Sequence, residues 1–152
     1  IAWGHTASND LAHWEDWPVA MWPDTPWDKG GVYSGNMAID ADGIPVAIYT
    51  GNVEGHKLTY GVCARSHDGF LTWNKSDCMD NKLRPNPTSP VNWDTSIWKD
   101  GNKWFLLIGG NTYPGAAKGT GYVWSSPDLK TFKLETSIWS GGPGSFWELP
   151  YL

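Results

Sequence analysis

The chain has 152 residues, among them 12 Trp, 18 Gly and 11 Pro; 18% of its residues are charged and its formal net charge is −5. So much tryptophan excludes a disordered chain, and no segment approaches the roughly 18 consecutive apolar residues that read as a membrane helix. Two arginines, Arg65 and Arg84, and the absence of any Lys/Arg run argue against nucleic acid as a partner, while Gly and Pro spread along the chain argue against long helices.

In chain order, the sequence opens mid-pattern on Ile1 rather than Met, and its end at Pro150-Tyr151-Leu152 reads as a strand, so a fragment or a processed product is expected. The first feature is a turn, Ser8-Asn9-Asp10-Leu11-Ala12-His13-Trp14. A strand then carries Tyr33-Ser34-Gly35 and ends at Asp42-Gly43, a strong hairpin signal. The run Val46 to Tyr49 has the composition of a buried strand. A third strand is predicted over Leu58 to Ala64, followed by a second turn, Ser66-His67-Asp68-Gly69-Phe70-Leu71-Thr72-Trp73, that leads into a fourth strand. The same order then recurs: Trp93-Asp94, the hairpin signal Asp100-Gly101, an apolar run over Trp104 to Ile108, a strand over Gly121 to Trp124, and the turn Ser126-Pro127-Asp128-Leu129-Lys130-Thr131-Phe132. Trp147-Glu148 opens a further unit. Cys63 and Cys78 are the only cysteines; a disulfide and two free thiols both fit their spacing, and none of the four His lies close enough to make a zinc site with them.

The turn aspartates Asp10, Asp68 and Asp128 are 58 and then 60 positions apart, and Gly43 and Gly101 are again 58 apart. Two features in one period mark a repeat, and four antiparallel strands per repeat make a β-propeller blade. A β-sandwich would require both repeats to be accidental. The predicted fold is therefore all-β, with 1–30 ending one blade, 31–90 and 91–143 forming two more, and 144–152 starting the next. Propellers have about 4–8 blades, so about two and a half do not close a ring.

First strands line the channel of a propeller, so equivalent first-strand positions converge on one axis. Asp94 and Glu148, 54 residues apart and each beside a Trp, should then face one cavity. Paired carboxylates near aromatic rings suit glycoside hydrolysis, and an apolar ring against Glu148 would favour a general acid. The bland alternative is that Asp94 caps a turn and Glu148 lies on a solvated face.

These residues also carry a family resemblance that spans the whole chain. Trp3-Gly4-His5-Thr6-Ala7-Ser8-Asn9-Asp10-Leu11-Ala12-His13-Trp14 with Pro18-Val19-Ala20 resembles a signature of glycoside hydrolase family 32, the family of invertases, levanases, inulinases and fructan exohydrolases. Tyr33-Ser34-Gly35 resembles its Phe-Ser-Gly motif, Trp93-Asp94-Thr95 its Arg-Asp-Pro segment, and Trp147-Glu148-Leu149-Pro150 its Trp-Glu-Cys-Pro segment. The resemblance implies a five-bladed propeller and a retaining double displacement at β-fructofuranosyl linkages. In it Glu148 is the general acid/base and Asp94 the transition-state stabiliser. Tyr33 and Ser34 help form the fructosyl subsite; Trp93 and Trp147, beside the two carboxylates, are also expected to bind substrate, whereas Trp3 is expected to be structural. The implied partner is a fructose-containing oligo- or polysaccharide, together with the remainder of the propeller. No metal, cofactor, nucleic acid or membrane is called for, and an extracellular or periplasmic location is expected.

Three departures stand out: Trp93 for the family's Arg, Thr95 for its Pro and Leu149 for its Cys. The family's nucleophile, an Asp in a Trp-Met-Asn-Asp-Pro-Asn-Gly segment, belongs a few dozen residues before Ile1, and that motif does not occur in this sequence. Competing readings are a sugar-binding propeller without catalysis, an inactive remnant of the family, and a scaffold for protein contacts.

Overall fold

A computed structural model describes residues 1–54, 58–79, 93–111, 118–138 and 143–151, with the side chain of Trp93 outside that description. The ten strands are β1 (Trp3–Ala7), β2 (Glu15–Met21), β3 (Gly31–Ile39), β4 (Pro45–Asn52), β5 (Thr59–Arg65), β6 (Asn74–Asp77), β7 (Trp93–Asp100), β8 (Lys103–Asn111), β9 (Gly119–Ser126) and β10 (Lys133–Ser137). They form a two-stranded sheet β1-β2 and two four-stranded sheets, β3-β4-β5-β6 and β7-β8-β9-β10, every neighbour antiparallel and consecutive in sequence. Each four-stranded meander is a propeller blade, and the innermost strands β3 and β7 pack side by side.

The hairpin and turn signals work as local chemistry dictates. Gly43 and Gly101 sit at φ +78° and +55°, where a side chain would be strained. In all three Ser-x-Asp turns the Ser Oγ accepts from a backbone N–H further on: Leu11 at 2.8 Å, Phe70 at 2.8 Å and Leu129 at 2.9 Å. The Asp carboxylate then accepts from Ala12 and His13, from Thr72, or from Lys130. Those bonds hold Leu11, Phe70 and Leu129 at φ +61°, +72° and +61°. Left-handed backbone costs a non-glycine residue about 1–2 kcal/mol, which several side-chain acceptors can offset.

β4 explains why the sheets stack. All eight of its residues are buried. Val46 and Ile48 join Leu106, Ile108, Tyr122 and Trp124 of the next blade in one core cluster. Ala47 and Tyr49 point the other way, into a cluster with Met21, Val32 and Val62 that is bordered by Trp3, Trp27 and Trp73. A strand covered on both faces needs a layer on each side, and each fully buried Val or Ile contributes about 1.5–3 kcal/mol to holding those layers.

The outer ends of the two blades are tied separately. The Phe132 N–H donates to the Cys78 carbonyl at 2.9 Å, and Arg65 bonds Asp40 Oδ2 at 2.6 Å and reaches the Asp128 carbonyl at 3.3 Å. Of the two readings of the cysteines, the structure adopts the disulfide: Cys63 and Cys78 are bonded with Cα atoms 5.6 Å apart. Cys63 lies opposite Ser76, and Cys78 follows two residues later, just past the end of β6.

The end of the chain differs from the expectation. No strand forms among the described residues 143–151. Leu149 at φ +46° turns the chain out of the extended region, and Pro150 has no N–H to donate. Instead the segment docks across β8 and β9: the Trp147 N–H donates to the Gly110 carbonyl at 3.1 Å, and the Gly119 N–H to the Gly144 carbonyl at 2.9 Å. The expected blade limit near 90 falls outside the described residues.

Candidate active site

The inner strands of both blades break their ladders near the start. The β3–β4 register slips between Val32 and Gly35, and the β7–β8 register slips between Trp93 and Thr95. A bulge frees a residue from pairing and re-aims its side chain. The first bulge holds Tyr33 and Ser34; the second holds Asp94. The glycine that follows Ser34 has a steric reason, because a Cβ on Gly35 would lie 2.3 Å from the Ile48 carbonyl oxygen. Tyr33 is half-buried and its carbonyl accepts from Trp3 Nε1–H at 2.9 Å, while Ser34 is exposed. Trp3 also packs its ring 5.7 Å from that of Tyr49, so it is part of the framework, as expected.

Asp94 is only 7% exposed and adopts φ +51°. Its N–H, taken out of the β7–β8 ladder, donates to Thr50 Oγ1 on β4 at 3.1 Å. The next residue, Thr95, donates its hydroxyl to the Ile48 carbonyl at 2.7 Å. The carboxylate faces the terminal segment, where Asp94 Oδ2 accepts from the Leu149 N–H at 3.0 Å. Glu148, one residue earlier, is exposed. The chain thus brings Asp94 and Glu148 to neighbouring positions, linked through one backbone hydrogen bond. Trp147, the ring adjacent to Glu148 in sequence, is half-buried. That ring lies against Gly119, where an added Cβ would meet it at 2.2 Å, and its Nε1–H donates to the Pro143 carbonyl at 3.0 Å. The side chain of Trp93 lies outside the described residues.

Beneath the β3 bulge lies a polar network that the sequence reading missed. Asp28 is fully buried and accepts from the Thr25 N–H and hydroxyl, the Tyr49 hydroxyl at 2.7 Å and Lys75 Nζ at 2.8 Å. Lys75 also bonds Asp24 at 2.7 Å and the Trp22 carbonyl. Burial acts to raise the Asp28 pKa, but the bonds from Lys75, Thr25 and Tyr49 together outweigh it and hold the carboxyl below its usual value. Burial, and then the Asp28 charge, push the Tyr49 hydroxyl far above its ordinary range. Lys75 sits in the polar stretch Asn74–Asp77 and reads as solvated; its partner is 47 residues away, so no local pattern reveals the pair.

A cleft of about 370 Å³ at the β1–β2 turn is lined by Ser8, Asp10, His13, Trp14 and Trp17 and includes neither Asp94 nor Glu148. Buried, doubly anchored Asp94 and its link to Glu148 carry more chemical meaning than that open surface hollow.

Residues 1–152 match the glycosyl hydrolases family 32 N-terminal domain. The chain belongs to glycoside hydrolase family 32. It is 32% identical over 164 aligned positions to a levanase of Bacillus subtilis, covering 99% of this chain and 22% of that protein. It is 31% identical over 144 aligned positions to a sucrose-6-phosphate hydrolase of Zymomonas mobilis, covering 84% of this chain and 26% of that protein. Among solved structures it resembles the family 32 β-fructofuranosidase of Bombyx mori, with a TM-score of 0.77 and 26% identity, over 97% of this chain and 31% of that one. The family 32 chain spans 22% to 33% of the length of these and similar curated relatives. Set against the family pattern, Thr95 in place of Pro gains a hydroxyl that is used on Ile48. Leu149 in place of Cys contributes its backbone N–H to Asp94.

Proposed function

We propose that the protein carrying this chain is a retaining β-fructosidase acting on sucrose-, levan- or inulin-type linkages. Glu148 gives its proton to the leaving glycosidic oxygen as the fructosyl bond breaks, then takes a proton from the water that releases fructose. Asp94 holds hydroxyls of the fructofuranosyl ring as positive charge develops, and Tyr33, Ser34, Trp93 and Trp147 border the sugar. The nucleophilic carboxylate comes from the family's Asn-Asp-Pro segment ahead of Ile1, about 5 Å from the acid/base in a retaining enzyme. On this reading residues 31–90 form one blade and 91–143 most of another, with 1–30 ending the blade before and 144–152 starting the next.

The observation that carries this reading is the 3.0 Å bond from the Leu149 N–H to Asp94 Oδ2, which joins a buried, fixed carboxylate to the backbone beside an exposed one. In the protein carrying this chain, Glu148→Ala is expected to cut fructose release by about a hundredfold or more, since general acid–base catalysis supplies about 10²–10⁴. Sugar binding should largely persist. Unchanged turnover would sink the assignment. One observation favours a second reading, a propeller that binds sugar without cleaving it: Trp93 stands where the family has Arg, removing a fork-shaped donor beside the carboxylate. On that reading the unaltered protein binds fructosides by calorimetry and releases none. The Cys63–Cys78 disulfide supports an oxidising compartment, extracellular or periplasmic.

A further inference from the structure

Asp94 does not hold its own position. A residue at φ +51° with its N–H outside the ladder relaxes toward ordinary strand geometry unless something else takes that N–H. The acceptor is Thr50 Oγ1, on a strand of the other blade, and Thr50 is itself buried, with 1% exposure. Its neighbourhood explains the choice of residue. Thr50 follows the apolar run Val46, Ala47, Ile48 and Tyr49 on β4, a strand whose eight residues are all buried, so a β-branched side chain fits there and valine matches its shape. Only the hydroxyl oxygen distinguishes threonine there, and among the described residues it accepts the N–H of Asp94. Two residues earlier on β4, the Ile48 carbonyl takes the Thr95 hydroxyl at 2.7 Å. β4 therefore clamps the bulge on both sides of the Asp94 Cα, and the Asp94 carboxylate in turn clamps Leu149, the residue after Glu148.

We propose that Thr50 is a positioning residue for the reaction. Lodged in one blade, it fixes the backbone of the stabilising Asp94 in the next, and through Asp94 it fixes the entry of Glu148 into the site. This rests on the roles given to Asp94 and Glu148 above. Thr50 touches neither substrate nor reacting atoms; it acts by holding the geometry of groups that do.

The test uses the protein carrying this chain and measures fructose release and thermal unfolding side by side. Thr50→Val keeps shape and removes the acceptor. Turnover should fall by about tenfold to a hundredfold, the effect of a misplacement on the order of 1 Å, while KM changes by less than about twofold. Thr50→Ser, which keeps the oxygen, should recover most of that loss. If Thr50→Val does not fold, Thr95→Val, which removes the other half of the clamp, must show the same split between turnover and KM. Wild-type turnover in a folded Thr50→Val protein overturns the proposal. So does a loss that only tracks the folded fraction, or one that Thr50→Ser fails to recover. Asp94→Asn separates the two levels of the argument. If it leaves turnover intact, the role of Asp94 is wrong; if it abolishes turnover while Thr50→Val does not, only the clamp is wrong.

Discussion

Lys75→Met removes one charge from the buried network while keeping most of the side chain's stem. Lys75 is 5% exposed at its side chain and its partner Asp28 is 0% exposed, so solvent does little to screen the pair. Breaking a buried pair by removing one partner costs about 3–5 kcal/mol, because the other charge stays buried. Asp28 keeps its two bonds from Thr25 and the one from Tyr49, which points to the low end, about 3 kcal/mol. That is a large share of the roughly 5–15 kcal/mol by which domains are stable. Asp24 is the internal control. It bonds the same ammonium, but its side chain is 65% exposed, so Asp24→Asn should cost about 0–1 kcal/mol. The pH dependence separates this account from simple loss of packing. In the wild type the Asp28 carboxyl is held below its ordinary value. Its contribution is therefore complete above the unfolded pKa of about 3.9 and fades as pH falls through the lower folded value. Without Lys75, burial is opposed only by the bonds from Thr25 and Tyr49, so the pKa of that carboxyl rises from its wild-type value. The deficit of the variant should then be greatest at neutral pH and shrink on acidification toward the unfolded value. Urea unfolding followed by tryptophan fluorescence, at neutral pH and in mild acid, reads both quantities. A cost below about 1 kcal/mol, a cost equal to that of Asp24→Asn, or a deficit independent of pH would refute the reasoning.

Reducing the Cys63–Cys78 bond opens a loop with a sequence separation of 15 residues. Chain-entropy reasoning gives a loss of about 3 kcal/mol, to be read as a lower urea midpoint in reductant than in its absence. Gly109→Ala would set a Cβ 2.2 Å from the Trp147 carbonyl oxygen. It should destabilise by about 1–3 kcal/mol and also lower turnover, because the displaced segment carries Glu148; unaltered kinetics would argue that the docking of 147–150 on β8 is unimportant. The exposed Asp68 carboxyl is lowered to about 2, chiefly by the hydroxyl and N–H of Thr72, with smaller help from Ser66 and Leu71. An NMR titration should find its midpoint there in the wild type and nearer the ordinary value in Thr72→Val, with the turn weakening as pH falls through that midpoint.

Much of the architecture was legible before any coordinates. The 58-residue period, the Asp-Gly hairpins and the Ser-x-Asp turns are local signals, and strands formed within a few residues of each of them. The end at Pro150-Tyr151-Leu152 reads as a strand, and none forms among the described residues there; the left-handed Leu149 and the docking of Trp147 on Gly119 are tertiary facts. The cysteine spacing allowed two outcomes, and adjacency across β5 and β6 selected one.

The candidate site divides in the same way. Asp94 and Glu148 could be singled out from the repeat and the family motifs alone, because a repeat forces equivalent positions onto one axis. Nothing in the linear chain marks Thr50 or Ile48 as anchors of Asp94, 44 and 47 residues away from their partners Asp94 and Thr95, or Lys75 as the partner of Asp28. By itself the sequence determined which residues turn, which strands are apolar and which carboxylates recur, since those depend on neighbours along the chain. Only the tertiary structure decided which blade supports which bulge and which buried charge is neutralised. A hydrogen bond or an ion pair between distant strands exists only once burial has brought their surfaces together.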